Sequence, residues 1–193
     1  MLEWSIDALQ TVAAVQRIVI ALPEGVELDR LPADVVTVTG GRTRSESVRE
    51  ALQASGDGDP VIVHDAARPL APPELFERAL EELERTGADA AIAAAPVSDT
   101  IKQIADDGHT VEQTLDRKRL WAVQTPQVFR RRALERVLAD ASGDVLALAT
   151  DDAWLIERAG GTVHVVRSDP HNIKVTSPID LELAGLMLCE RGR

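Results

Sequence analysis

A histidine, an aspartate and an arginine stand together in His64-Asp65-Ala66-Ala67-Arg68-Pro69, directly after the apolar run Val61-Ile62-Val63. A carboxylate and a guanidinium three residues apart offer complementary chemistry. The carboxylate can accept sugar hydroxyls or a metal ion, and the guanidinium can grip a phosphate through paired hydrogen bonds. The position adds weight, because open parallel sheets gather their ligands at the carboxyl ends of the strands. By residue type alone, an Asp–Arg pair stitching a turn, with His64 a satisfied and partly buried histidine, is an equal reading. A second candidate, Gly40-Gly41-Arg42-Thr43-Arg44-Ser45-Glu46-Ser47, lies between a strand pattern and a helix pattern. Its backbone N–H groups and two arginines could meet an anion or a base edge at the helix N-terminus, and a tight turn capped by serine is the plain alternative. Asp151-Asp152 resembles a paired-carboxylate metal site, but an N-cap for the helix through Trp154 and Ile156 fits the position better. Trp121 and Trp154 read as packing residues, and His109, His164 and His171 lack ligand-like spacing.

These residues need elements to hold them. Leu2, Ile6, Leu9 and Ala13 recur at helical spacing, and the β-branched run from Arg17 to Leu22 ends at Pro23, predicting a helix and then a buried strand. Val35 to Thr39 predicts a second strand, Ser45 to Leu52 a helix closing near Ser55-Gly56, and Val61 to Val63 a third strand. Pro72-Pro73 opens a helix through Arg85 that stops at Gly87, and Ala90 to Ala95 is a fourth apolar run. Continuous apolar strands separated by helices imply an α/β fold with a mostly parallel sheet covered on both faces. From Ser98 to Trp121 the pattern turns to short polar–apolar alternation around Asp106-Asp107-Gly108, predicting a hairpin of Ile101–Ile104 against His109–Val111 that projects from the body. Helices over Arg131–Ala139 and Asp151–Ala159, a strand over Val163–Val166 and a closing helix over Ser177–Cys189 complete the reading.

Bulk properties narrow the function. The 193 residues fit one domain, and no apolar stretch is long enough to span a bilayer. A formal charge of −11 disfavours nucleic acid as a partner and requires a local basic pocket for any small anion. The single Cys189 excludes an intrachain disulfide and fits a reducing cytoplasm.

The combination is more specific than its parts. T-G-G-R-x-R-x-x-S-V at 39–48, V-H-D-A-A-R-P at 63–69, P-V-S-D-T-I-K at 96–102, T-L-D-R-x-x-L-W at 114–121, Q-T-P-Q-x-F at 124–129, T-D-D-A at 150–153 and N-I-K-V-T at 172–176 together resemble the 2-C-methyl-D-erythritol 4-phosphate cytidylyltransferase family. The resemblance implies a Rossmann-like, doubly wound nucleotidyltransferase domain over residues 1–193 with a dimerisation arm at about 98–123. It implies that Gly41, Arg44 and Ser47 face the cytosine end of CTP, with Asp65 and Ala66 at its ribose and metal side. Asp65, Arg68, Thr100 and Thr125 would line the acceptor's pocket, and Arg117 and Lys174 would position its phosphate for attack on the α-phosphorus. The arm would carry Thr100, Arg117 and Thr125 into a partner's site in a homodimer, and Mg²⁺ would accompany CTP. A pentitol phosphate is the alternative acceptor, and a catalytically dead dimerising remnant is the alternative in another class.

The same resemblance implies a strand, a glycine-rich turn and an Arg and a Lys ahead of the stretch matched from Leu2. That strand would lie between Arg17–Leu22 and Val61–Val63. The expectation for this chain is therefore a gap in the sheet there, and poor stability or activity unless the gap is filled.

Overall fold

The computed structural model describes residues 1–28 and 31–191. In chain order the elements are α1 (Leu2–Gln10), β1 (Ile18–Leu22), β2 (Val35–Thr39), α2 (Arg44–Ala54), β3 (Val61–Val63), α3 (Pro73–Thr86), β4 (Ala90–Pro96), β5 (Lys102–Ile104), β6 (Val111–Thr114), a 3₁₀ turn (Arg117–Arg119), β7 (Trp121–Phe129), α4 (Arg131–Asp140), α5 (Gly143–Leu148), α6 (Asp152–Arg158), β8 (Val163–Arg167) and α7 (Pro178–Arg191).

The main sheet runs β3-β7-β4-β8, with β4 and β8 parallel and β7 antiparallel to both neighbours. Every residue of β4 from Ala90 to Ala95 is buried, because helices cover both faces. Side chains of a strand alternate between faces. On one face Ala90, Ile92 and Phe129 accordingly pack with Leu134 and Leu138 of α4 and Leu155 and Ile156 of α6. On the other, Ala91, Ala93, Val128 and Val166 pack against Leu75, Ala79 and Leu83 of α3. The predicted punctuation of α3 holds: proline occupies its first turn, and Gly87 closes it at φ 67°, a left-handed cap that glycine adopts without a Cβ penalty.

β1 and β2 form a separate parallel pair. Among the described residues no strand bridges β1 and β3, and the discontinuity falls where the sequence places it. A cavity of about 720 Å³ lies there, bordered by Ile18 and Ile20 of β1, Val61 and Val63 of β3, and Leu2 and Ile6 of α1.

Three sequence expectations need correction. The hairpin pairs Lys102–Ile104 with Val111–Thr114, not with His109–Val111. The shift arises because Asp107 accepts the backbone N–H groups of His109 and Thr110, which draws both residues into the turn. Trp121 is exposed at the edge of the arm and does not pack in the core. The segment around Gln124-Thr125-Pro126-Gln127, with no secondary structure foreseen, lies within the central strand β7.

Candidate active site

Three loop-to-helix junctions converge beside β3. The first is the start of α2, where Thr43 and Glu46 form a reciprocal capping box, the Thr43 hydroxyl accepting from the Glu46 N–H while the Glu46 carboxylate accepts from the Thr43 N–H. This fixes Arg44 as the first helical residue. Gly41 is required just upstream: a Cβ there would stand 2.2 Å from the Glu46 Cβ. Its N–H donates to the Ser47 hydroxyl at 3.1 Å.

The second junction is the loop after β3. Asp65 receives the Arg44 Nε–H on Oδ1 at 3.0 Å and the Lys174 ammonium on Oδ2 at 2.9 Å, and the Arg68 guanidinium lies 4.0 Å from Oδ2. Arg68 donates in turn to the Asn172 carbonyl at 2.7 Å. Asn172, buried, anchors its own loop on β7 by donating to the Thr125 carbonyl and the Gln124 side chain, both at 3.0 Å. The Val175 N–H reaches the Ala67 carbonyl at 2.8 Å, so Lys174 is tied to the Asp65 loop through the backbone as well.

His64 ties this loop to β7. The Thr125 hydroxyl accepts the Asp65 N–H at 3.0 Å and also bonds His64 Nδ1 at 3.0 Å. Nε2 carries the ring proton and donates to the Arg68 carbonyl at 3.3 Å. Burial holds the imidazole neutral, with a pKa lowered to about 4, and its ring meets Phe76 edge-on at 5.0 Å.

The third junction is the start of α6. Asp151 caps the helix by accepting the Trp154 N–H at 2.8 Å, as its position foretold. Asp152 turns inward, wholly buried, and accepts from Arg44 Nη1.

A cleft of about 350 Å³ opens among Arg44, Asp65, Arg68, Thr125, Thr150 and Lys174. Ser47 and Ala66 border the larger cavity instead, and Arg44 and Asp65 border both. The order of motifs, this convergence of basic groups on one carboxylate and the α/β scaffold point to one class of enzyme. Comparison with known proteins decides it: the profile of 2-C-methyl-D-erythritol 4-phosphate cytidylyltransferase matches residues 1–190. The chain belongs to that family. A 2-C-methyl-D-erythritol 4-phosphate cytidylyltransferase of Rhodococcus jostii is 45% identical over 193 residues, covering 98% of this chain and 83% of the relative. The crystal structure of the Thermus thermophilus 2-C-methyl-D-erythritol 4-phosphate cytidylyltransferase superposes with a TM-score of 0.82 at 34% identity, covering 96% of this chain and 87% of that one. The 4-diphosphocytidyl-2C-methyl-D-erythritol synthase from Anaerococcus prevotii superposes at 0.85 with 28% identity, covering 97% and 85%.

As a member of this cytidylyltransferase family the chain is a nucleotidyltransferase, and its site has the electrostatics that such chemistry needs. Burial works against the Asp65 charge, but Arg44 and Lys174 outweigh it and hold the carboxyl below its usual range. Burial likewise opposes the Arg44 charge, and Asp152 with Asp65 more than compensates, raising its pKa. Arg68 is shifted downward, by burial first and by the nearby Arg44 charge, with Asp65 opposing.

Of the residues singled out from the sequence, Arg44, Asp65, Arg68, Thr125 and Lys174 share the cleft, Ser47 and Ala66 border the adjoining cavity, and Gly41 lines neither but bonds the Ser47 hydroxyl. Thr100 and Arg117 do not join them within one chain. Both are exposed on the arm, where Arg117 donates to the Ser98 carbonyl at 2.6 Å. Thr125 departs from the expectation that the arm carries it into a partner's site, because its hydroxyl is bound to His64 and Asp65 of its own chain. Two residues of the site were missed. Thr150 lines the cleft, and Asp152, read only as part of a cap, is the counter-ion of Arg44. The signal for Asp152 was available: with Asp151 serving the cap, a second carboxylate leading into the apolar turn Ala153–Ile156 needs a buried cation.

Among the described residues no three acidic, histidine or cysteine side chains cluster as a metal-binding group. A Mg²⁺ held largely by phosphates and water needs only one or two protein carboxylates, and Asp65 fits that requirement.

Proposed function

We propose that the cleft beside Asp65 is where this chain transfers CMP from CTP to 2-C-methyl-D-erythritol 4-phosphate, with release of pyrophosphate. The observation that carries this reading is the meeting of Arg44, Arg68 and Lys174 around one half-buried carboxylate, Asp65, in an otherwise acidic protein. Two phosphate-bearing reactants repel each other, so the catalyst's task is to position them and to neutralise the charge that develops at the transferred phosphorus. No protein nucleophile is needed, since the acceptor's phosphate oxygen attacks the α-phosphorus directly.

In this reading Gly41, Arg44 and Ser47 receive the cytosine, and Asp65 and Ala66 meet the ribose. Arg68, Thr125 and Lys174 receive the acceptor, with Lys174 drawn from Asp65 toward its phosphate. Mg²⁺ would be held by Asp65 and the CTP phosphates, and supplies charge neutralisation when bound. Residues 1–193 act as one nucleotidyltransferase domain in the cytoplasm. The arm, about 98–123, brings Thr100 and Arg117 to a second subunit's cleft, which accounts for their distance from the cleft of their own chain.

Pyrophosphate release that requires both CTP and methylerythritol phosphate, and that collapses in Lys174→Ala, establishes the reading. Equal turnover with a pentitol phosphate, or release independent of the acceptor, overturns the substrate assignment.

A further inference from the structure

Asp152 contributes no surface to the cleft, yet it decides how one of the cleft's cations is presented. Its side chain is fully buried at the first turn of α6, behind the cation and away from solvent. Arg44 belongs to α2 and Asp65 to the loop after β3, so the guanidinium is stretched between carboxylates from two other segments. Asp65 takes Nε and Asp152 takes Nη1. A planar guanidinium has five N–H donors in a fixed fork. Two anchors on different edges restrain its rotation, and it is Nε and Nη1, not Nη2, that bond the carboxylates.

Without the second anchor the guanidinium would turn to face Asp65 with two parallel N–H bonds, the preferred geometry for such a pair. That rotation would bury the remaining donors against Asp65 and occupy both oxygens of the carboxylate that also serves Lys174. Burial disfavours the ionised form of Asp152, and the Arg44 charge is what opposes that effect. The dependence is one-sided: Asp152 is buried and needs the Arg44 charge, whereas Arg44 is partly exposed and is paired with Asp65 as well.

We propose that Asp152 is a positioning residue for nucleotide selection, holding Arg44 edge-on so that its free donors face the acceptor atoms of a cytosine ring. This rests on the assignment of Arg44 to the base side of CTP. Cytosine offers acceptors at N3 and O2, whereas uracil carries a hydrogen at N3, which a donor-only guanidinium cannot accept. The orientation of Arg44 then contributes directly to the choice between CTP and UTP.

The test compares Asp152→Asn, Asp152→Ala, Asp152→Glu and Arg44→Gln in the chain as it stands, by pyrophosphate release with CTP or UTP at saturating methylerythritol phosphate and by calorimetric Kd for CTP and UTP, whose ratio replaces that of kcat/KM if turnover of the parent is too slow to measure, with urea midpoints to verify folding. Asp152→Asn keeps the side chain's size and carries the test if the alanine variant does not fold. The expected result is a fall of about tenfold or more in the CTP-to-UTP ratio of kcat/KM, the worth of one misdirected charge-assisted hydrogen bond. The fall should come through KM for CTP, with KM for the acceptor unchanged within about twofold. Arg44→Gln should lose the ratio at least as far, and Asp152→Glu should not restore it. A structural role alone would lower stability and leave the ratio as it was. If Asp152→Asn keeps the ratio while Arg44→Gln loses it, the positioning role is overturned and the base-side assignment of Arg44 stands. If Arg44→Gln keeps the ratio too, the assignment itself has failed and the inference falls with it.

Discussion

Thr125 and His64, 61 residues apart in the chain, share a hydrogen bond of 3.0 Å, and the same hydroxyl accepts the Asp65 N–H. Because the Arg68 carbonyl can only accept, it holds the proton of the neutral ring on Nε2, which leaves Nδ1 as the acceptor of the Thr125 hydroxyl. The ring's protonation state is therefore part of how the Asp65–Arg68 loop is held.

This fixes a pH dependence. The folded pKa of His64 is lowered to about 4 by burial, against an ordinary value of 6.5. A depressed histidine contributes its stability fully above pH 6.5, and loses it as the pH falls from 6.5 toward 4, where the unfolded chain binds a proton and the folded chain does not. A lowering of that size corresponds to about 3 kcal/mol at most. Urea midpoints should fall across that window in the parent chain, and the His64 share of the fall should be absent in His64→Asn. An unchanged pH dependence in the variant would remove His64 from the account.

The arm gives a cleaner test of shared sites. Arg117→Ala and Lys174→Ala should each lose activity by roughly two to three orders of magnitude, as expected for groups that neutralise charge at a reacting phosphorus. If Arg117 acts in a second subunit's cleft, mixing and refolding the two inactive variants restores about a quarter of parental activity, since half of the dimers are mixed and each has one intact site. Failure to recover any activity from a mixture shown to contain mixed dimers would return Arg117 to its own chain.

At the start of α2, Thr43→Ala removes the capping box. The expected cost is about 1 kcal/mol of stability, with a raised KM for CTP because Arg44 is the first residue the cap fixes. Thermal unfolding and CTP kinetics on the same sample separate the two effects.

The interrupted sheet has a measurable signature. Amides on the cavity-facing edges of β1 (Ile18–Leu22) and β3 (Val61–Val63) should exchange with solvent far faster than those of β4 and β7, which are paired on both sides. By contrast Leu134→Ala, in the fully buried cluster on β4 and β7, should cost about 2–5 kcal/mol. Uniformly slow exchange on all four strands would contradict the strand arrangement described above.

Much of this was legible in residue order. The alanine run of β4, the prolines and glycine that bracket α3, and the acidic cap of α6 each carry a local physical signal, and each element appeared as expected. β7 did not, because Pro126 and three polar neighbours break a strand pattern. Its tertiary setting explains it: the β4–β7 ladder pairs Ile92 with Gln127 and Ala94 with Val123, so Gln124, Thr125 and Pro126 lie in an irregularity opposite Ala93. There the chain needs no proline N–H, and Thr125 is released from the ladder to serve the Asp65 loop. The site was readable as a set of cations and one carboxylate, but which carboxylate restrains Arg44 depends on contacts across 108 residues, beyond the reach of spacing.

The Arg44–Asp65 pair forms a party wall between two compartments, one bordered by Ser47 and Ala66 and the other by Lys174 and Thr125. Whatever draws on Arg44 from the first side changes the charge that Asp65 shows to the second, and the reverse holds equally. Any coupling carried by this shared pair is reciprocal: a ligand on one side alters affinity on the other by the same factor as the reverse.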